Sequence, residues 1–200
     1  LFLNDFNQII KIDQANFNYL DTENKKNNYN IKKVKGQNYL IDGTSFNANS
    51  LISNLLDAND KKENNLFENK VSMELNFKKV YFDKIHFVKD LNGKIKIINN
   101  KVEEADILAF YNNSQNIKFT IRTNDQGEKI TTLFSSKAKP LVDRYKFIKG
   151  FRDGRDGYLD FYSIKKDGVS TSKLVIDNFK VKEIPALAKL LALASLQGIA

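Results

Sequence analysis

The chain has no cysteine, no tryptophan, one methionine, one histidine, two prolines and nine glycines among its 200 residues. Without cysteine there is no disulfide framework, no thiolate zinc site and no cysteine nucleophile. The compartment stays open, because a periplasmic protein needs no disulfide. Scarce proline and glycine exclude collagen-like and linker-like chains. Arginine is scarce as well: only Arg122, Arg144, Arg152 and Arg155 stand among 32 basic residues. Arginine reads guanine and clamps phosphate bidentately, so its rarity argues against a nucleic-acid partner despite a net charge of +8. The lysines occur singly or in pairs such as Lys78-Lys79, never in a basic run, and heavy use of Asn, Lys and Ile fits an A/T-rich codon bias. Attraction to an anionic lipid surface is equally compatible with that charge. A secretory leader is not visible, since LFLNDFNQII has neither a basic start nor an adequate apolar stretch. With no initiating Met, the chain is read as a segment of something longer, spanning 1–200 as one unit with a candidate sub-boundary near 136–150.

What the chain does have is alternation. Apolar residues make up 42 %, with 15 Phe and 8 Tyr, enough for a folded core. In VSMELNF, Val71, Met73, Leu75 and Phe77 point one way while Ser72, Glu74 and Asn76 point the other. GKIKIIN repeats the device with Ile95 and Ile97, NIKFTI with Ile117, Phe119 and Ile121, and SKLVID with Leu174 and Ile176. Period-two runs of this kind predict strands with one apolar and one wet face. Asn92-Gly93, TNDQGEK (123–129) and Asp167-Gly168 predict hairpin turns between them. Two early strands, near 6–12 and 30–42, are separated by LDTENKKNNYN, read as a polar loop. The expected fold is therefore mainly β: a long curved antiparallel sheet forming an open groove, with two or three short helices. One helix is expected in 44–60, with Phe46, Leu51, Leu55 and Leu56 at helical spacing and Thr44 and Ser45 as N-caps. Another is expected around Pro140, and a third is the apolar run from Pro185 to Gln197. That last run covers about 20 Å as a helix, against the roughly 30 Å of a hydrocarbon core, so it does not span a membrane.

Residues for chemistry are few. His86 is read as a wet-face or packed strand residue. GFRDGRDG (150–157), with Asp153 and Asp156, fails the calcium-loop pattern and is read as a turn-rich approach to a strand. DANDKKENNLFE (57–68) starts like a calcium loop, but Lys61 stands at a ligand position and Lys62 where glycine is needed. Glu103, Glu104 and Asp106 form a solvated acidic face. No nucleophile elbow, phosphate loop or Ser–His–Asp set can be written. The reading is a non-enzyme with no catalytic, metal or cofactor residues. Many strands with one apolar face, and few helices to cover them, leave a choice between a packed core and a working apolar groove. The candidate groove lining is Val71, Met73, Leu75, Phe77, Ile95, Ile97, Ile117, Phe119 and Ile121.

The C-terminal segment VIDNFKVKEIPALAKLLALASLQGIA resembles the end of the AsmA-like C-terminal domain of large bacterial envelope proteins of the YhdP and TamB kind. The resemblance runs through Ile176, Asp177, Phe179, Val181, Pro185, Leu187, Ala188, Leu190, Leu191, Leu193, Ala194, Ser195, Leu196 and Gly198, with Asn178 inserted between Asp and Phe. Upstream, Phe147, Gly150, Gly157, Leu159 and Phe161 follow the family's order, and GQNYLIDGTSFNANSLISNLL looks like its earlier strand and helix. The resemblance implies a protein anchored in the inner membrane of a Gram-negative bacterium, outside this segment, with its bulk in the periplasm. It further implies a groove holding phospholipid acyl chains, and a part in phospholipid transport between inner and outer membranes and in outer-membrane integrity. The rival expectation is a scaffold of the envelope that binds no lipid.

Overall fold

The computed structural model describes residues 2–3, 9–56, 70–98, 101–145, 149–151, 156–178 and 181–183. Its elements are β1 (Phe2–Leu3), β2 (Ile9–Lys11), β3 (Gln14–Leu20), β4 (Lys26–Lys35), β5 (Asn38–Asn47), α1 (Asn49–Leu56), β6 (Val71–Tyr81), β7 (Phe87–Ile98) and β8 (Lys101–Asn112). They continue with β9 (Gln115–Thr123), β10 (Lys129–Ser135), α2 (Lys139–Tyr145), β11 (Lys149–Phe151), β12 (Tyr158–Lys166), β13 (Val169–Asp177) and β14 (Val181–Glu183). Ten strands form one open sheet in the order β13-β12-β10-β9-β8-β7-β6-β5-β4-β3. β1 pairs with β2, and β11 with β14, in separate two-stranded ribbons.

The chain is mainly β, as the alternation requires, but the sheet is mixed rather than antiparallel. β5 and β6 run parallel, with Tyr39 opposite Met73 and Ile41 opposite Leu75. A parallel pair needs a long crossover, and the connection through α1 supplies it. Alternation has the same period in both pairings, so it carries no sign of strand direction.

Three local expectations change with the backbone. Asn92-Gly93 is not a hairpin turn; it lies inside β7, where the pairing with β8 shifts register between Lys89 and Asn92. A Cβ on Gly93 would stand 3.0 Å from Ile107 Cγ1, so the glycine makes room for a facing side chain. LDTENKKNNYN is not a loop. Asp21 Oδ1 accepts from the backbone N–H groups of Glu23 and Lys25 at 2.9 Å each, closing a tight turn, and β4 begins at Lys26. The helix of 44–60 starts late: Thr44 and Ser45 belong to β5, and Asn47 Oδ1 accepts from Asn49 N–H at 3.1 Å where α1 begins. Phe46 is therefore a strand residue, and Leu51 is 52 % exposed rather than buried. The stretch 57–68 and the segment around Asp153 fall outside the described residues.

Three other local expectations, two turns and one helix, are met. β9 and β10 join through 124–128, with Asn124 Oδ1 accepting from the N–H groups of Gln126 and Glu128. β12 and β13 join through Asp167 (φ 50°) and Gly168 (φ 79°), both left-handed, as a two-residue hairpin demands. α2 carries Pro140 in its first turn, where a missing N–H costs nothing. The candidate sub-boundary at 136–150 falls in the connection between β10 and β12, which pair directly with each other.

The core gathers at one end of the sheet. Ala48, Ala138, Leu141 and Val142, from the two helical segments, cluster with Phe77, Val80, Phe82, Val88, Ala109, Leu133, Leu159 and Phe161. The Arg144 guanidinium pins this end by donating to Phe82 O, Asn49 O and Asn49 Oδ1, which links α2 to α1 and to the β6–β7 turn.

Gly43 marks the tightest approach between strands. A Cβ there would lie 2.4 Å from Asn28 O and 2.6 Å from Tyr29 Cβ, where the β4–β5 register shifts. Gly43→Ala should cost about 1–3 kcal/mol by forcing backbone apart. Gly127→Ala, at φ +75° with open space around it, should cost about 1 kcal/mol from backbone conformation alone. Urea denaturation of both variants checks this; equal stability of Gly43→Ala and the parent would refute the close approach.

Candidate functional site

Antiparallel and parallel registers alike place directly opposed residues on one face of a sheet. On the apolar face, Met73 opposes Ile95, which opposes Ala105, Ile121, Thr131, Ser163 and Ser172 in turn. The next row runs Ile41, Leu75, Gly93, Ile107, Phe119, Leu133, Phe161 and Leu174. A third pairs Phe77 with Leu91 on β6 and β7. Beyond it, Ala109, Ile117, Ser135, Leu159 and Ile176 form a run on β8–β13. At the far end Val71 opposes Ile97, and Ile97 opposes Val102.

All nine sequence-predicted lining residues thus lie on one face of β6, β7 and β9. Their surroundings differ along the strands. Phe77 belongs to the buried core cluster, and Leu75, Ile117 and Phe119 pack against it, so this part of the face is covered. Val71, Met73, Ile95, Ile97 and Ile121 are not members of that cluster. Among these, Val71 and Ile121 are buried and Met73, Ile95 and Ile97 are half-buried. The predicted set therefore divides into a core portion beneath the helices and a portion further along the strands.

Sequence reasoning missed the middle of this face. β8 supplies Ala105, Ile107 and Ala109, with Ala105 and Ala109 buried, from a segment noticed only for its acidic residues. The alternation of VEEADILAF is blurred by a register irregularity between Lys96 and Ile97 on the β7–β8 pair. Leu133, Leu159 and Phe161 were also missed as face residues, and the alternating exposure of YLDFYSI is the signal that would have found the last two. Toward β3 the face becomes aromatic: Phe17 stacks on Tyr29 at 4.7 Å, Tyr29 meets Phe46 at 5.4 Å, and Phe46 meets Phe77 at 5.5 Å.

Hydroxyl groups on the face are mostly spent on one another. Ser172 Oγ donates to Ser163 Oγ at 2.9 Å, and Tyr111 Oη and Ser135 Oγ lie 2.9 Å apart while Ser135 Oγ donates to Lys137 O at 2.7 Å. Burial pushes the Tyr111 phenol up to about 12, and burial likewise pushes Tyr29 up to about 12, so both remain neutral and compatible with an apolar neighbour.

The opposite face is polar. Glu104 pairs with Lys96 and Asp106 with Arg122 at 2.9 Å, whereas Glu103 pairs at 3.2 Å with Lys129, which stands in phase with Thr131 at the margin of the apolar face. The acidic cluster is thus neutralised strand by strand. His86 sits in the β6–β7 turn, where Asp83 Oδ1 accepts from Ile85 and His86 N–H and Asp83 Oδ2 lies 2.7 Å from His86 Nδ1. Among the described residues, no three His, Cys, Asp or Glu side chains gather as a metal site, and no helix is long and apolar enough to cross a membrane. The sequence-predicted signature helix (Pro185, Leu187, Leu190, Leu191, Leu193, Ser195, Leu196, Gly198) lies outside the described residues. Comparison with family models, curated proteins and solved structures gives no match.

Burial opposes ionisation of Asp83, but the hydrogen bonds from His86 and Ile85 outweigh it and hold the carboxyl below its ordinary 3.8. A depressed folded-state value stabilises the fold above pH 3.8, and that contribution disappears as pH falls through the lower folded value. Asp83→Asn should therefore melt below the parent at pH 7, with the difference shrinking at pH 3. Thermal melts at both pH values test it; a difference that stays constant or grows on acidification would contradict the assignment.

Proposed function

We propose that this chain is a segment of an AsmA-like periplasmic protein, anchored to the inner membrane elsewhere, whose sheet curves into a groove for phospholipid acyl chains. On this reading it takes part in moving phospholipid between the inner and outer membranes and in keeping the outer membrane intact. The observation that carries the reading is the single apolar face continued from strand to strand across a ten-stranded open sheet, with only the two short helices α1 and α2 against it among the described residues. Shielding an acyl chain from water gains about 0.8 kcal/mol per methylene. The adjoining pairs Met73–Ile95 and Val71–Ile97 offer that shelter with aliphatic side chains. The C-terminal sequence resemblance points the same way. No catalytic role and no cofactor enter the proposal.

The rival is an envelope scaffold that binds no lipid. It draws on the helix-covered end, where Phe77, Val80, Leu133 and Phe161 form an ordinary core. The two readings separate at the other end of the strands.

Photo-crosslinking side chains placed at Leu75 and Ile97 of the full-length protein, with a control at Lys94 on the polar face, distinguish them. The groove reading expects Ile97 to capture phospholipid well above the Lys94 control, Leu75 to do so less strongly, and mass spectrometry to find co-purifying phospholipid. Capture at Ile97 no greater than at Lys94 would sink it and leave the scaffold.

A further inference from the structure

Strands β3 to β7 carry a second row on the polar face, made of one kind of side chain. Asn16 opposes Asn30, Asn30 opposes Asp42, Asp42 opposes Asn76, and Asn76 opposes Asn92. Five adjacent strands therefore line up four carboxamides and one carboxylate. Asn and Asp are depleted in strands, because their short polar groups compete for the backbone. No hydrogen bond from the described residues engages the side chains of Asn16, Asn30, Asp42 or Asn76, and Asn92 Nδ2 donates only to the Asp90 carbonyl at 3.1 Å. Several Asn side chains elsewhere, those of Asn27, Asn47, Asn112 and Asn124, close turns or tie strands together.

The backbone dents beneath this row. β4 shifts register between Asn28 and Tyr29, Gly43 lets β4 and β5 touch, and Asp90 of β7 takes a left-handed φ of 48°. A non-glycine residue in that conformation costs energy, and bulges re-aim side chains, so the two together mark a shaped surface rather than a plain sheet. The result is a depression of about 410 Å³ bordered by Asn30, Asp42, Asn76 and Asn92 of the row, though not Asn16, with Phe77 and Leu91 also at its wall. That volume lies within the ordinary range for small-ligand sites.

We propose that this depression binds a neutral, hydroxyl-rich chain, an oligosaccharide. Each carboxamide offers a donor and an acceptor together, which is what neighbouring sugar hydroxyls require. Strand spacing of about 4.8 Å repeats that offer along a line, so a linear chain of sugar units meets equivalent groups as it crosses β4–β7. Asp42, in the middle of the row, accepts hydroxyl hydrogen bonds of the stronger, charge-assisted kind. Other ligand classes fit poorly. An apolar ligand would leave the amides unsatisfied. A polyanion would meet Asp42 and Asp90 with only Lys78 to balance them. The carboxamide row lies on the face opposite the apolar rows, so its side chains do not line the proposed acyl-chain groove.

The test is an amide-detected NMR titration of the isotopically labelled chain with chitotetraose and cellotetraose as neutral probes and a heparin tetrasaccharide as a charged one. A neutral probe should shift the side-chain amide signals of Asn30, Asn76 and Asn92 saturably. The double variant Asn30→Val/Asn76→Val puts strand-favouring residues on the row and should weaken that binding by about tenfold or more. Asp42→Asn keeps the shape and should weaken it less, which holds the test open if the double variant fails to fold. The proposal is overturned if neither neutral oligosaccharide shifts these signals, if only heparin does, or if both variants bind as tightly as the parent.

Discussion

The described residues answer to one constraint: a sheet ten strands wide has an apolar face far larger than the two described helices, of eight and seven residues, can cover. Where α1 and α2 reach, the face becomes a core with Phe77, Phe161 and Leu133 buried under Ala138, Leu141 and Val142. Arg144 holds this end shut through the carbonyls of Phe82 and Asn49. Further along the strands, Val71 and Ile121 are buried and Met73, Ile95 and Ile97 half-buried outside that core cluster. Small residues on β8, Ala105 and Ala109, let the larger Ile121 and Ile117 of β9 settle beside them. Beyond β9 the lining turns to buried Thr131 and Ser163, whose hydroxyls require partners that an aliphatic lining does not.

The two faces divide the chemistry of the chain between odd and even positions. A slip of one residue would exchange them, putting Lys94 and Lys96 where Ile95 and Ile97 stand. Irregularities reset that phase at several points. Phe77 and Val80 are both buried although they stand three positions apart, and Asp90 takes positive φ on the strand alongside. The same distortions leave the polar face dented between β4 and β7. Irregular backbone thus serves both sides at once.

Much of this was legible in the residues, for physical reasons. Val71, Met73, Leu75 and Phe77 share a face because strand geometry has period two wherever the strand pairs. Asp167-Gly168 made its hairpin because both positions tolerate positive φ and the flanking strands pair with each other. Asn92-Gly93 has the same local chemistry and became the interior of a strand. There the competing demand was long-range: β7 spans Phe87–Ile98 because β6 and β8 flank it, and Gly93 was needed for the bulk of Ile107. Thr44 and Ser45 are good helix caps, yet β5 runs on through them: Ser45 pairs with Asn28 of β4, and Phe46 and Asn47 pair with Val80 and Tyr81 of β6. The turn at Asp21 was hidden because its closure depends on Asn27, a buried residue held in turn by the backbone of Asn47, twenty positions away.

The sequence by itself determined that the strands are one-sided, which residues share each strand's apolar side, and that no disulfide joins them, since there is no cysteine. These follow from local rules, in which a residue's neighbours two or three positions away decide its direction. Only the tertiary structure decided that β5 and β6 run parallel, that the helices cover one end of the apolar face, and that Asn16, Asn30, Asp42, Asn76 and Asn92 stand in line. Those outcomes depend on register between strands up to tens of residues apart. Register is set by packing and backbone hydrogen bonding across the whole sheet, which no single segment encodes.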